Sequence, residues 1–137
     1  MESVILPVME YRSKEKIRND PLTEKIIAAC FKVHRALGPG FSERIYRNAL
    51  MMAIKNIPLK YSVEKNYVVK YENKRVGDLR IDFIIEDKVI VEIKAVSGVM
   101  PKVFEHQMLS YLKISGLKVG LLVNFGESSC QIKRFAN

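Results

Sequence analysis

The stretch from Asp82 to Lys94 constrains the fold more than any other part of the chain. Two strongly apolar runs are separated there by Glu86, Asp87 and Lys88, which is the pattern of a β-hairpin with a three-residue loop. Acidic and basic residues interrupt both runs, and charges inside buried strands need partners. The segment therefore predicts a hairpin that carries a functional or structural cluster of charges.

Pairing across this loop predicts which charges meet. Side chains alternate between the two faces of a strand, so Glu92 and Lys94 share one face of the second strand. On the first strand Ile81 and Phe83 are expected on one face and Asp82 on the other. Asp82 then lies opposite Glu92, with their Cβ atoms about 5 Å apart. This arrangement predicts a metal-binding pair of carboxylates with a lysine beside it.

The alternative is a structural salt bridge between Lys94 and one of the two acids. An acid two residues before a lysine is common in this chain, since Glu72/Lys74 and Glu86/Lys88 share that spacing. Those two pairs fall in polar stretches where turns are expected and water solvates the charges. Lys94 instead lies in an apolar run, where a charge tends to be paired or close to a metal. Both interpretations stay open on spacing alone.

Length and composition predict one domain at residues 20–137, preceded by an N-terminal arm at residues 1–19. The 137 residues are 48% hydrophobic, which suffices for an ordinary core. No apolar run approaches the roughly 20 residues that span a bilayer, and the N-terminus lacks the features of a signal peptide. We therefore expect a cytoplasmic protein. Cys30 and Cys130 have no metal-ligand or redox spacing and are predicted to be free thiols.

The net charge of +8 is unevenly distributed along the chain. Residues 21–60 carry seven basic side chains against two acidic ones, and residues 101–137 carry five against two. Residues 61–100 are balanced, with seven of each sign. Basic flanks around an acidic centre suit a polyanion such as nucleic acid.

Hydrophobic periodicity and turn residues predict the order α-α-β-β-β-α-β-β, a mixed β-sheet flanked by helices of the α/β (α+β) class. Asp20 and Pro21 begin the first helix and Gly38 ends it. The second helix is expected from about Ser42 to Asn56, and the third from Pro101 through Ser115. The strands are expected at residues 59–71, 76–85, 89–96, 118–124 and 130–135.

The apolar stripes of the second and third helices predict their buried faces. For the second helix the stripe is Ile45, Tyr46, Ala49, Leu50, Met52, Ala53 and Ile57, and for the third it includes Val103, Phe104, Met108, Tyr111 and Leu112. Glu43 projects from the edge of the first stripe, where an acid could reach a site. Gln107 and Tyr111 share a face beside the second stripe, and the alternative to a site role is a buried amide and a core tyrosine.

These residues together resemble the PD-(D/E)XK nuclease superfamily. Asp82 and the pair Glu92 and Lys94 on adjacent strands, preceded by a helical Glu43 and followed by the Gln107 helix, carry the resemblance. More narrowly, residues 33–46 and the blocks at 91–96, 107–112 and 120–126 are similar to the GxxExxY protein family. The chain departs from the superfamily pattern in having Ile rather than Pro at position 81.

The resemblance implies a restriction-endonuclease-like core and a metal-dependent nuclease that hydrolyses phosphodiester bonds, with DNA favoured over RNA. It implies that Mg²⁺, with Mn²⁺ as a substitute, is bound by Asp82, Glu92 and the backbone carbonyl of Ile93, with Glu43 contributing directly or through water. It gives Lys94 the role of orienting the nucleophile or stabilising the transition state.

The resemblance also implies accessory residues. Gln107 belongs with the catalytic set and Tyr111 assists it. His34 is a possible accessory residue, although a lone histidine before Gly38 at the end of a helix is more often structural. One small domain offers one active site, so simultaneous cutting of both strands of a duplex would require a homodimer.

Two other functional classes stay open. The chain could bind nucleic acid without cutting it, or its basic flanks could meet an acidic protein partner. A different enzyme class is disfavoured, because the sequence contains no phosphate-binding Gly-x-x-x-x-Gly-Lys loop, no Gly-x-Ser-x-Gly turn and no His-Glu-x-x-His pair.

Overall fold

A computed structural model of the protein describes residues 20–136. The predicted N-terminal arm at residues 1–19 lies outside the described residues. The helices are α1 (Pro21–Leu37), α2 (Glu43–Lys55) and α3 (Val103–Ser115). The strands are β1 (Tyr61–Tyr71), β2 (Lys74–Ile85), β3 (Val89–Lys94), β4 (Val119–Asn124) and β5 (Gln131–Ala136). The predicted element order and the mixed class are confirmed.

The five strands form one sheet in the order β1-β2-β3-β4-β5. All neighbours are antiparallel except β3 and β4, which are parallel because α3 carries the chain back between them. One face of the sheet packs against α1 and α2 and the other against α3, so the core has two clusters. The resulting three layers are those of a restriction-endonuclease-like fold.

Asp20 starts α1 and ties it to the last strand. Its Oδ1 accepts a hydrogen bond of 2.9 Å from the Thr23 N–H, and its Oδ2 lies 3.1 Å from Nη2 of Arg134. Burial alone would raise the pKa of Asp20, but the Thr23 N–H and the Arg134 charge outweigh it and lower that pKa. The predicted N-cap is confirmed, and it also joins α1 to β5.

The buried stripe of α2 is narrower than predicted. Tyr46, Leu50 and Ile54 are fully buried, whereas Ile45 and Met52 are 42% and 68% exposed. The three buried residues recur every four positions, so a single row of side chains faces α1 and the sheet. The prediction that Ile45 and Met52 are buried was wrong because α2 lies at the border of the layer.

The buried face of α3 also differs from the prediction. Val103 is exposed, whereas Glu105 is buried and forms an ion pair with Lys133 of β5. A charge is tolerated there because its partner comes from the neighbouring strand. Met108 and Leu112 are buried as predicted.

In the β1–β2 hairpin, the alternation of side chains between the two faces of the sheet is interrupted at Glu64 and Asp82. Phe83 packs with the cluster under α1 and α2, but Ile81 packs with the cluster under α3. Strict alternation would place both on one face, so the prediction for Ile81 was wrong. Glu64, which falls opposite Asp82 in the β1–β2 register, has a positive φ of 53°. This kink shifts the alternation by one residue.

The two cysteines are buried free thiols, as predicted. Burial raises the pKa of Cys130 to about 12 and raises that of Cys30 as well. Both thiols are therefore protonated at neutral pH. Separately, none of the helices in the described part of the chain is long and apolar enough to cross a membrane.

Tyr46 fixes the turn between α1 and α2. Its ring stacks on Phe125 at a centroid distance of 4.7 Å, and its hydroxyl donates to the Gly38 carbonyl. The same hydroxyl accepts a 3.2 Å hydrogen bond from the Phe41 N–H. Gly40, inside this turn, has a φ of 111°, which favours glycine. One buried side chain thus holds the segment that precedes Glu43.

Removing only the hydroxyl tests this role of Tyr46. We expect Tyr46→Phe to lower the free energy of unfolding by about 1 kcal/mol, because the ring contact with Phe125 remains while both hydrogen bonds are lost. Urea unfolding of the variant measures the change. Tyr71→Phe is the control, since Tyr71 is 67% exposed at the hairpin tip. Equal stabilities of the two variants would contradict the role.

Candidate metal centre and active site

The two acids of the β2–β3 hairpin contact each other's strands. The loop is the predicted three-residue one, since Ile85 pairs with Val89. Counted outward from the loop, the ladder ends at Phe83, the residue that follows Asp82 in the chain. Beyond that point the Asp82 N–H donates to Oε2 of Glu92 at 2.8 Å, and the Ile93 N–H donates to Oδ2 of Asp82 at 2.9 Å. Carboxylate oxygens thus take the place of backbone carbonyls.

Glu92 is buried beside a second negative charge. Burial is the largest influence and raises its pKa, and the Asp82 charge raises it further, to about 8. The Asp82 N–H and the Lys94 charge act in the opposite direction but do not cancel the effect. Glu43, at the start of α2, also raises the pKa of Glu92, so its field reaches the pair. At Glu92, burial and the neighbouring acids thus outweigh the N–H and the lysine that favour its ionised form.

Arg47 is a site residue that sequence reasoning missed. Its Nη1 lies 3.4 Å from Oδ1 of Asp82, and its Nε lies 3.8 Å from Oε2 of Glu64. Arg47 follows Glu43 by four residues on α2, a spacing that puts both on one face. That spacing is the signal that could have identified it. No sequence pattern indicates that Glu64 lies near the site, because its position depends on the kink in β1.

Lys94 lies on the same face of β3 as Glu92, as predicted. Its Nζ is 4.1 Å from the centre of the Phe104 ring on α3, which is a cation–π contact. Within residues 20–136, Asp82 forms an ion pair with Arg47, whereas Lys94 forms no ion pair with Asp82 or Glu92. The structural salt bridge of Lys94 is therefore not found.

Gln107 and Tyr111 are both half-buried on α3. Burial raises the pKa of Tyr111, and the charges of Glu92 and Asp82 raise it further, so the phenol lies within the field of the acid pair. Gln107 lies one turn earlier on the helix, and no hydrogen bond to its side-chain amide is found among the described residues. The predicted alternative for Gln107, an amide that caps backbone groups, is not observed there.

Asn124 shapes the segment after Lys94, which sequence reasoning also missed. Its buried amide accepts from the Val96 N–H at 2.8 Å and donates to the Val96 carbonyl at 2.9 Å. Gly126 packs so closely on this segment that a Cβ there would lie 2.4 Å from the Val96 nitrogen. The end of β4 thus fixes the chain two residues beyond Lys94.

His34 takes no part in the hydrogen bonds of Asp82 and Glu92. Its Nε2 is 2.8 Å from the carbonyl oxygen of Glu127, and its ring stacks on Phe125 at 6.2 Å. These contacts join the end of α1 to the turn after β4. An accessory role for His34 stays a prediction, and its observed contacts are structural.

The donor atoms suit a hard cation that keeps part of its water. Among the residues the structure describes, no group of three or more His, Cys, Asp or Glu side chains could hold a metal by itself. Asp82 and Glu92 offer two carboxylates, and the Ile93 carbonyl is a third oxygen on the same strands. Mg²⁺ commonly uses one or two carboxylates and several waters, so the pair fits it. Burial and the Asp82 charge disfavour the ionised form of Glu92, and a bound cation would offset both effects.

The raised pKa of Glu92 predicts a pH dependence of stability in the absence of metal. Between pH 4.5 and about 8 the folded protein holds a proton on Glu92 that the unfolded chain has lost. The contribution of Glu92 to stability is therefore fully present below pH 4.5 and is lost as the pH rises through about 8. Glu92→Gln should flatten this part of the curve.

Denaturation in EDTA at a series of pH values measures the effect as the difference between wild type and Glu92→Gln. Glu72→Gln is the control, because Glu72 is exposed at the hairpin tip. A difference between wild type and Glu92→Gln that does not change with pH would contradict the raised pKa.

The family comparison agrees with this geometry. The model of the PD-(D/E)XK nuclease superfamily matches residues 20–135, which is most of the chain. No curated protein and no solved structure matches it. The matched region includes the acid pair, Lys94 and all eight helices and strands except the last residue of β5. On this match the chain belongs to the PD-(D/E)XK nuclease superfamily.

Proposed function

We propose that this protein is a metal-dependent nuclease that hydrolyses phosphodiester bonds, with DNA favoured over RNA. Members of its superfamily are usually nucleases. The observation that carries the proposal is the acid pair, in which Asp82 and Glu92 each accept a backbone N–H from the other's strand. Lys94 lies two residues after Glu92, on the same face of β3. Buried acids so close together are costly unless a cation joins them.

The ligands of that cation are proposed to be the carboxylates of Asp82 and Glu92 and the backbone carbonyl of Ile93. Glu43 is proposed to bind the cation through a water molecule, because its side chain is exposed and it influences Glu92 only through its charge. When bound, Mg²⁺ or Mn²⁺ would supply a Lewis acid that neutralises charge growing on the phosphate. Oxygen ligands, with no Cys or His among them, favour these ions over zinc.

The chain's own groups would position the reactants. Lys94, held on the Phe104 ring, would direct its ammonium towards the attacking water or the phosphate. Tyr111 lies within the field of the acids and would donate its hydroxyl proton in a hydrogen bond, since its raised pKa keeps it neutral. Gln107 has a side-chain amide available for the same phosphate. In the reaction the water oxygen joins phosphorus, one ester P–O bond breaks, and a water proton ends on the leaving oxygen.

A cleft next to Ala95, the residue that follows Lys94, supports a nucleic-acid substrate. It has a volume of about 430 Å³ and is lined by Pro39, Gly40, Phe41, Ala95, Ser97 and Gly126. Phe41 is 45% exposed there, which leaves an aromatic surface on which a base could stack. The positive net charge of +8 favours a polyanionic substrate in general.

The finer assignment to the GxxExxY family is also part of the proposal. Gly40, Glu43 and Tyr46 supply the three named positions of that motif. Each has a distinct physical task, since Gly40 has a positive φ, Glu43 begins α2 and Tyr46 holds the turn before it. A homodimer is proposed only for cleavage of both strands of a duplex.

A cleavage assay with a charge-matched control tests the function. Labelled single-stranded, duplex and branched DNA and RNA are incubated with the protein in Mg²⁺, Mn²⁺ or EDTA. We expect cutting that requires a divalent metal and that falls by about 100-fold or more in Lys94→Met, because a positioned charge is lost from the transition state. Lys118→Met, an exposed lysine before β4, should cut like the wild type.

The possible outcomes separate the functional classes. Metal-dependent cutting that survives in Lys94→Met would point to a contaminating nuclease. Metal binding without cutting of any substrate would favour a module that binds nucleic acid but does not hydrolyse it.

A further inference from the structure

The oxygen atoms of the acid pair are already partly engaged. Oδ2 of Asp82 accepts the Ile93 N–H, and Oε2 of Glu92 accepts the Asp82 N–H. Oδ1 of Asp82 is the acceptor for Arg47, at 3.4 Å. A cation that uses Asp82 through Oδ1 would therefore meet the guanidinium of Arg47 at the same atom.

Arg47 is the cation that neutralises the pair in the structure. The Lys94 ammonium lies over the Phe104 ring, whereas Arg47 makes the ion pair with Asp82. Only 22% of the Arg47 side chain and 18% of the Asp82 side chain are exposed, so water screens this contact incompletely. A divalent ion and a guanidinium on one carboxylate would repel each other across a few ångströms.

Glu64 offers Arg47 a second partner. The Nε of Arg47 is already 3.8 Å from Oε2 of Glu64, while its Nη1 contacts Asp82. Glu64 is held opposite Asp82 by the kink in β1, where its φ is positive. A non-glycine residue rarely adopts this conformation without a reason. A small rotation of the guanidinium would transfer it from one carboxylate to the other.

We propose that Arg47 is a resident counter-ion of the metal centre, bound to Asp82 in the metal-free protein and moved onto Glu64 when the divalent ion binds. Arg47 is thus a positioning residue that competes with the metal, and Glu64 is its alternative partner. The proposal rests on the metal site of the proposed nuclease, but it concerns metal affinity and not cleavage.

The competition predicts that loss of Arg47 tightens metal binding. We expect Arg47→Gln to bind Mn²⁺ about threefold to tenfold more tightly than the wild type, the scale of a partly exposed ion pair. A purely structural role for Arg47 predicts the reverse, because a misplaced Asp82 would bind metal more weakly. Isothermal titration calorimetry with Mn²⁺ alone, without nucleic acid, measures the affinity. Arg44→Gln, an exposed arginine on the same helix, controls for the change in net charge.

A double-mutant cycle tests the part played by Glu64. Glu64→Gln in the wild type should weaken Mn²⁺ binding, because Arg47 then lacks its second partner and stays on Asp82. In the Arg47→Gln background the same substitution should have a smaller effect, limited to the loss of a nearby negative charge. The difference between the two effects is the coupling of the pair.

Thermal unfolding gives an independent reading and checks folding. In EDTA, Arg47→Gln should melt below the wild type, because the acids lose their counter-ion, and saturating Mn²⁺ should recover more of its stability than in the wild type. Mn²⁺ affinity in Arg47→Gln equal to or weaker than that of wild type would overturn the proposal, as would absence of Mn²⁺ binding by the wild type.

These results are separable from the test of the nuclease. A wild type that cuts, with unchanged affinity in Arg47→Gln, refutes the counter-ion alone. Tighter binding in Arg47→Gln, with no cutting by the wild type, refutes the nuclease alone.

Discussion

The hydrogen bonds by which the Asp82 and Glu92 carboxylates each reach the other strand are the constraint on which the site depends. Each carboxylate accepts a backbone N–H from the other strand, so the acids both end the β2–β3 ladder and hold the strands in register. The same contacts bring two negative charges together in a place from which water is largely excluded, and the pKa of Glu92 rises to about 8 as a result. The surrounding cations, Arg47 and Lys94, are best understood as responses to that charge, one by an ion pair and one from the face of an aromatic ring.

Much of the fold and the meeting of Asp82 with Glu92 could be predicted from sequence because their determinants are local. Asp82 and Glu92 are joined by a three-residue loop, and alternation along two strands is enough to place them opposite each other. The start of α1 at Asp20 and its end at Gly38 likewise depend on neighbouring residues. Predicting that Tyr111 lies near the acids required more information, because α3 is distant from them in sequence. Only the family resemblance indicated where that helix lies on the sheet.

The features that sequence reasoning missed depend on contacts between distant parts of the chain. The ion pair of Arg47 with Asp82 joins α2 to β2, and that of Glu105 with Lys133 joins α3 to β5. The role of Asn124 appears only when β4 lies beside β3, since its amide bonds to Val96. The exposure of Ile45 and Met52 has the same origin, because a helical stripe does not reveal how much of it a neighbouring layer covers.

The kink at Glu64 and Asp82 limits where residues can be inserted into the β1–β2 hairpin. Beyond it, Tyr67 and Leu79 pack against α3, while Phe83 on the near side packs under α1 and α2. A single residue inserted into one strand near the kink would move the outer side chains of that strand to the opposite face and out of register with the partner strand, because the side-chain period is two. Insertions at the tip, around residues 72 and 73, would leave the phase unchanged. We therefore expect related chains to differ in the reach of this hairpin but to keep its distance from the acids constant.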